Sequence, residues 1–153
     1  MLSMKAKYGL QAMLFLAREQ GRGHVLISNV AEKEGIPRKF LELILLELRN
    51  KGFLHSKKGK GGGYLLAKTP QSIHLGDIIR VLDGPLAPIP CVSLTAYKAC
   101  SDCIDEDTCG IRLIMKEVRD ATARILDGTS LADVLERIDA RTSDRNEILM
   151  YHI

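Results

Sequence analysis

The sequence predicts a mainly α fold with a small β wing: a winged helix-turn-helix domain followed by a long dimerisation helix. Three observations carry that expectation. ISNVAEKEGIPRKFLELILLELRNKG places a small residue, a glycine and bracing apolar residues at the spacing of two helices meeting in a tight turn. A hairpin rich in lysine and glycine, GFLHSKKGKGGGYLLAKTP, follows at once. Farther on, residues from about 108 to 127 repeat apolar side chains at three-four spacing.

Ser3 is placed to cap a first helix reaching about Gln20. Leu10, Met13, Leu14 and Ala17 line one of its faces, and Tyr8, Ala12, Phe15 and Leu16 another. A helix apolar on two faces is a buried one. Gly21 and Gly23 end it. Ser28 or Asn29 is the expected cap of the second helix, since Asn29 and Glu32 have the spacing of a capping box. Gly35 supplies the positive φ of the turn, and Pro37 suits the first position of the third helix. Ala31 falls where the two helices touch, with Val30, Ile36, Leu41 and Ile44 bracing the corner.

A strand from Phe53 to Lys57, a tip from Lys58 to Gly63 and a returning strand from Tyr64 to Ala67 make the wing. Its glycines match neither GxxxxGK[ST] nor GxGxxG, which argues against a nucleotide loop. HLGDIIRVLDG forms a further helix with Leu75, Ile78, Ile79 and Leu82 on one face. Pro85, Pro88 and Pro90 then break regularity. The helix from about Thr108 to Asp127 aligns Ile111, Ile114, Met115, Val118, Ala121 and Ile125. At about 30 Å it is long enough to pack against a twin from a second chain. Gly128 ends it, and Ser130 caps a short last helix that turns Leu131, Val134, Leu135 and Ile138 inward; the stretch from Ala140 to Arg145 reads as loose. The expected organisation is a DNA-binding domain at 1–84, a cysteine-bearing loop at 85–107, dimerisation and short C-terminal helices at 108–139, and a tail at 140–153.

With 46% hydrophobic and 27% charged residues, the chain reads as a soluble globular protein rather than a disordered one. Its longest apolar run, Ala12 to Ala17, cannot cross a bilayer. The amino terminus lacks a small-residue cleavage site, so a reducing cytoplasm is expected, without membrane attachment. Charge is unevenly spread. Residues 1–70 carry 13 Lys and Arg against 5 Asp and Glu, whereas 71–153 carry 9 against 14, which suggests a polyanionic partner for the first half. For a helix-turn-helix that partner is a double-stranded DNA operator, bound by a homodimer. The amino-terminal residues of the third helix, Arg38, Lys39 and Glu42, are the candidates for base edges. Lys57, Lys58 and Lys60 are the candidates for phosphate, and Ser28, Gly62 and Tyr64 complete the expected interface.

All four cysteines, Cys91, Cys100, Cys103 and Cys109, fall in CVSLTAYKACSDCIDEDTC with spacing C-x8-C-x2-C-x5-C. In a reducing compartment such a cluster binds metal or does redox chemistry more often than it forms structural disulfides. One tight pair and no histidine between the cysteines leave several readings open: an iron–sulfur cluster, structural zinc, a thiol–disulfide switch, or inert cysteines. The sequence offers no nucleophile–base pair and no nucleotide motif. An electron-transfer enzyme with a basic domain is therefore the weaker alternative to a regulator.

KYGLQAMLFLA, SNVAEKEGIPRKFLELILLELRNKG, KGGGYLLAKTP and HLGDIIRVLDGP, in that order and followed by a cysteine-bearing loop, resemble the bacterial "Rrf-two" regulators over about residues 1–138. These include iron–sulfur cluster, nitric-oxide-sensing and cysteine-metabolism regulators. The resemblance implies a dimeric winged-helix DNA-binding protein whose loop holds a [2Fe-2S] or [4Fe-4S] cluster in many members. Members that hold one supply three loop cysteines and a non-cysteine fourth ligand. One version has a histidine three residues after the last cysteine, where this chain has Arg112. Another has an aspartate before the first-helix tyrosine, where this chain has Lys7 before Tyr8. The resemblance thus nominates Cys91, Cys103 and Cys109, with the additional Cys100 in the fourth place.

Overall fold

The computed structural model describes residues 1–151. In chain order it contains α1 (Met4–Arg18), α2 (Ile27–Glu34), α3 (Arg38–Asn50), β1 (Leu54–Lys57), β2 (Gly63–Leu66), α4 (Leu75–Asp83), α5 (Gly110–Asp127) and α6 (Leu131–Tyr151). Ser3 caps α1 as expected, its Oγ accepting the Ala6 N–H at 3.0 Å. Its own N–H donates to Asp83 Oδ2 at 2.9 Å and its hydroxyl donates to Asp83 Oδ1, tying the start of α1 to the end of α4. Ala6, Ala12, Met13, Leu16 and Ala17 are buried, while Tyr8, Leu10, Leu14 and Phe15 pack more loosely on the same core. Where α1 crosses its neighbours, a Cβ on Gly9 would stand 2.2 Å from Leu82 Cδ1 and 3.4 Å from Ile44 Cγ2. The crossing is that close because position 9 carries no side chain.

The helix-turn-helix forms at the expected glycine: Gly35 adopts φ 64°, ψ 34°, and the Ile36 N–H donates to the Ala31 carbonyl at 3.0 Å. Leu41, Ile44, Leu45 and Leu48 of α3 are fully buried. The start of α2 departs from expectation. Its cap is Leu26, with no side-chain hydrogen bond, and Ser28 and Asn29 already lie in the first turn. The cause lies outside the segment: Val25 and Tyr64 exchange two backbone hydrogen bonds of 2.8 Å, so the wing carries the chain straight from a β-bridge into the helix. Pro37 likewise caps α3 rather than opening it. The wing strands pair antiparallel from Leu54↔Leu66 to Lys57↔Gly63, with Leu54 and Leu66 sealing the core beneath.

α6 corrects a second expectation, because the short last helix followed by a loose stretch is one continuous helix of 21 residues. Ser130 caps it as read, in a reciprocal box: Asp133 Oδ2 accepts the Ser130 N–H at 2.8 Å, and Ser130 Oγ accepts the Asp133 N–H at 3.1 Å. No glycine or proline interrupts it from 131 to 151. Thr142 and Ser143, which resemble turn residues, bond back to the Ile138 and Asp139 carbonyls at 2.9 and 3.1 Å and stay helical. Arg18 Nη2 joins Asp139 Oδ1 at 2.7 Å, bracing α6 against α1. Residues 152 and 153 of the expected tail lie outside the described residues.

α5 buries no residue fully within the chain. Ile111, Ile114, Val118 and Ile125 stay exposed along one side. Its far end is fixed to α4 by Arg80, whose two terminal nitrogens donate to Asp127 Oδ1 and Oδ2 at 2.7 Å each. That pairing holds the Asp127 carboxyl below its ordinary value, through the hydrogen bond first. A carboxylate lowered by folding contributes stability above its unfolded pKa of about 3.9 and loses it as pH falls through the folded value. Asp127→Asn is therefore expected to melt below the parent chain at neutral pH, with the difference closing as both are taken below about pH 4. Thermal melts of the two proteins from pH 7 down to pH 3 check this.

Candidate nucleic-acid interface and cysteine loop

Arg38, Lys39 and Glu42 project from the start of α3 into solvent. Arg38 and Glu42 are not independent: Arg38 Nε lies 3.3 Å from Glu42 Oε1, one helical turn away. Each partly occupies the hydrogen-bonding edge that the sequence reading offers to a base. Lys57, Lys58 and Lys60 are exposed at the wing. Gly62 is buried behind them, where a Cβ would meet the Lys57 carbonyl oxygen at 2.3 Å. At Gly63, φ is 129° and a Cβ would stand 2.1 Å from the Val25 carbonyl oxygen. The tip is thus held by backbone packing, with its lysines left outside. Tyr64 is half-buried and its backbone is bonded to Val25, so its observed part is to hold the wing against the chain leading into α2. Ser28 is exposed on the first turn of α2. Arg49 Nη1 donates to Ser56 Oγ at 3.2 Å, linking α3 to β1.

The cysteine loop runs from the end of α4 to the start of α5. Cys91 is buried in a short 3-10 turn, Pro90–Val92. Cys100 and Cys103 are exposed, and Cys109 is half-buried at the cap of α5, at the positive end of that helix. None is in a disulfide. The Cys91 and Cys100 side chains are neighbours, and the charge of Cys91, first, raises the Cys100 thiol above its ordinary value. Cys103 is also raised, by desolvation first and then by Glu106, Cys109 and Cys91. Cys91, Cys100 and Cys103 therefore lie within electrostatic reach of one another, and Cys109 within reach of Cys103. Among the described residues, however, no three His, Cys, Asp or Glu side chains stand together as a ready metal site. Four free thiols in one loop fit a thiolate-held cluster by donor chemistry. The loop must close further for all four to act together.

Side chains that the sequence reading left without a role hold this loop. Tyr97 OH donates to Glu106 Oε1, and Arg112 Nε lies 3.5 Å from Glu106 Oε2, an ion pair without a hydrogen bond at Nε. Asp105 accepts the Thr108 hydroxyl at 2.7 Å and the Asp107 N–H at 3.0 Å. Arg119 of α5 reaches back to donate to the Val92 carbonyl at 2.6 Å. One signal for Arg119 was available: it follows Met115 by one turn, on the side of α5 that faces its own chain. Nothing local marks the Tyr97–Glu106 contact.

The Rrf2 family, described as iron-dependent transcriptional regulators, matches residues 2–137. An rrf2-like HTH-type transcriptional regulator of Rhodobacter capsulatus is 41% identical over 138 residues, covering 88% of this chain and 92% of its own. The structure of CymR, the global cysteine regulator of Bacillus subtilis, superposes with a TM-score of 0.75 at 33% identity, over 90% of this chain and 97% of that one. The structure of T. potens IscR gives 0.72 at 33% identity, over 90% and 88%.

Proposed function

The chain belongs to the Rrf2 family of transcriptional regulators, and from that premise we propose a cytoplasmic homodimer that binds a double-stranded operator and holds an iron–sulfur cluster at Cys91, Cys100, Cys103 and Cys109. The observation that carries the reading is the placing of the thiols. All four lie in one loop between the DNA-binding elements and α5, with Cys91 beside Cys100. When bound, such a group supplies electron transfer and sensitivity to iron supply, oxidants or nitric oxide.

The chain's own residues provide the coupling. Cys91 sits in the turn whose Val92 carbonyl accepts from Arg119, so a displacement at Cys91 pulls on α5. α5 is locked to α4 through Asp127 and Arg80, and α4 packs against α1 and α3. The exposed ridge of Ile111, Ile114, Val118 and Ile125 supplies the apolar face for a twin α5. Two arrangements of the dimer, differing in the spacing of their α3 helices, would then bind the operator unequally. The loaded loop shifts that balance only if it favours one arrangement over the other.

The adjacency of Cys91 and Cys100 also favours a second reading at the same residues, a thiol–disulfide switch, with structural zinc as the other metal option. The test is the visible spectrum of the full chain purified without oxygen, with iron, sulfide and zinc assayed on one sample. The expected result is a coloured protein with iron and sulfide in equal amounts. A colourless protein with one zinc per chain makes the loop structural; neither metal leaves the thiol pair as the switch.

A further inference from the structure

The outward face of α3 is centred on leucine. With 3.6 residues per turn, Lys39, Leu43, Leu46 and Asn50 fall opposite the buried stripe of Leu41, Ile44, Leu45 and Leu48. Leu43 is 64% exposed and Leu46 39% exposed. Neither belongs to the core or packs against it. Arg38 and Glu42 lie to one side of this ridge and are paired with each other. The middle of the outward face of this helix is therefore apolar, with Lys39 one turn before Leu43 and Asn50 one turn after Leu46.

Resting on the DNA-binding reading above, we infer that Leu43 and Leu46 are specificity residues that read thymine methyl groups in the major groove. Among the base edges there, the C5-methyl of thymine is the apolar one. A leucine set against a cytosine amino group or a guanine oxygen removes it from water and returns no hydrogen bond, so the same side chains select against G·C pairs. Leu43 and Leu46 are three residues apart, a rise of about 4.5 Å along the helix, comparable with the step between successive base pairs. The half-site read by α3 accordingly carries thymines at adjacent or next-adjacent pairs. Lys39 and the Arg38–Glu42 pair hold the helix over them.

The test uses the full chain, purified without oxygen and again after removal of iron, to enrich duplexes from a random-sequence library. Each thymine of the enriched duplex is then replaced in turn by deoxyuridine, which deletes the methyl group alone. At the one or two positions facing the leucines, the replacement is expected to weaken binding about fourfold per half-site and about fifteenfold in both, the value of one buried methyl. Leu43→Ala should lose this discrimination at one of those positions while remaining a dimer. Indifference of the parent chain to deoxyuridine at every thymine overturns the inference and leaves DNA binding standing. A change of oligomeric state in Leu43→Ala also overturns it, making the ridge a contact between copies. If neither form of the protein enriches any duplex, the DNA-binding reading fails and the inference with it.

Discussion

Raising salt from 50 to 200 mM is expected to weaken binding of the full chain to an enriched duplex by about 10³–10⁵-fold. The estimate follows from the wing. Lys57, Lys58 and Lys60 stand exposed around a tip whose glycines keep the backbone compact, so the proposed dimer would present six wing lysines to phosphate. Each neutralised phosphate releases counterions and adds about 0.9 to the slope of log affinity against log salt. Six such contacts already give about three decades over this interval, and further contacts from α2 and α3 carry the figure upward. The acidic residues concentrated after position 70 lie mainly in the loop, α5 and α6, away from the wing. Replacing the three lysines by alanine should flatten the slope by about 5 in the dimer. It should leave unchanged the penalty for deoxyuridine at the positions read by α3, because phosphate contacts fix position without distinguishing bases. Fluorescence anisotropy titrations across the salt series measure both quantities. A slope near zero in the parent chain removes the winged-helix DNA-binding reading.

The features legible in the sequence were those whose causes are local. Ala31 and Gly35 set the helix-turn-helix within nine residues, and the glycines of KGKGGGY announced the wing because few other residues fit its backbone. Three things escaped, each for a nonlocal or ambiguous reason. The cap of α2 moved to Leu26 because Val25 pairs with Tyr64, 39 positions away in the sequence. The length of α6 was hidden because Thr142 and Ser143 suit a turn and a back-bonded helix equally well. In the loop, no local pattern marks which acidic residues hold its shape. Glu106 and Asp105 receive Tyr97, Arg112 and Thr108 and hold the loop's shape. The recognition helix is the instructive case. Its polar residues drew the reading to Arg38, Lys39 and Glu42, whereas the face opposite the buried stripe of α3 also carries the exposed Leu43 and Leu46.

Cys100→Ala is expected to leave the anaerobically purified protein without visible absorbance and to lower its bound iron and sulfide by at least tenfold. Groups that merely orient a metal ligand already cost about 10–100-fold in affinity when removed, and a lost thiolate costs at least as much. Cys100 is the informative position among the four. Cys91 is 5% exposed beneath the loop, so replacing it disturbs packing as well as ligation. Cys100 is exposed, and its deletion removes a sulfur without opening a cavity. The melting temperature of the metal-free protein should accordingly be the same with and without the substitution. That equality is what separates loss of a ligand from loss of the fold. Cys103→Ala provides the companion measurement, since Cys103 is also exposed and lies within electrostatic reach of Cys91 and Cys109. Colour lost in both variants assigns the fourth place to Cys100. Colour lost in Cys103→Ala alone moves the fourth ligand elsewhere, and Arg112 cannot supply it, because a guanidinium stays protonated and has no lone pair to offer a metal. In that outcome Cys100 keeps its place beside Cys91 as the partner of a thiol pair. Mild oxidation would then join the two sulfurs in the parent chain, their two protons and two electrons passing to the oxidant, and would leave the remaining sulfur a free thiol when either is replaced.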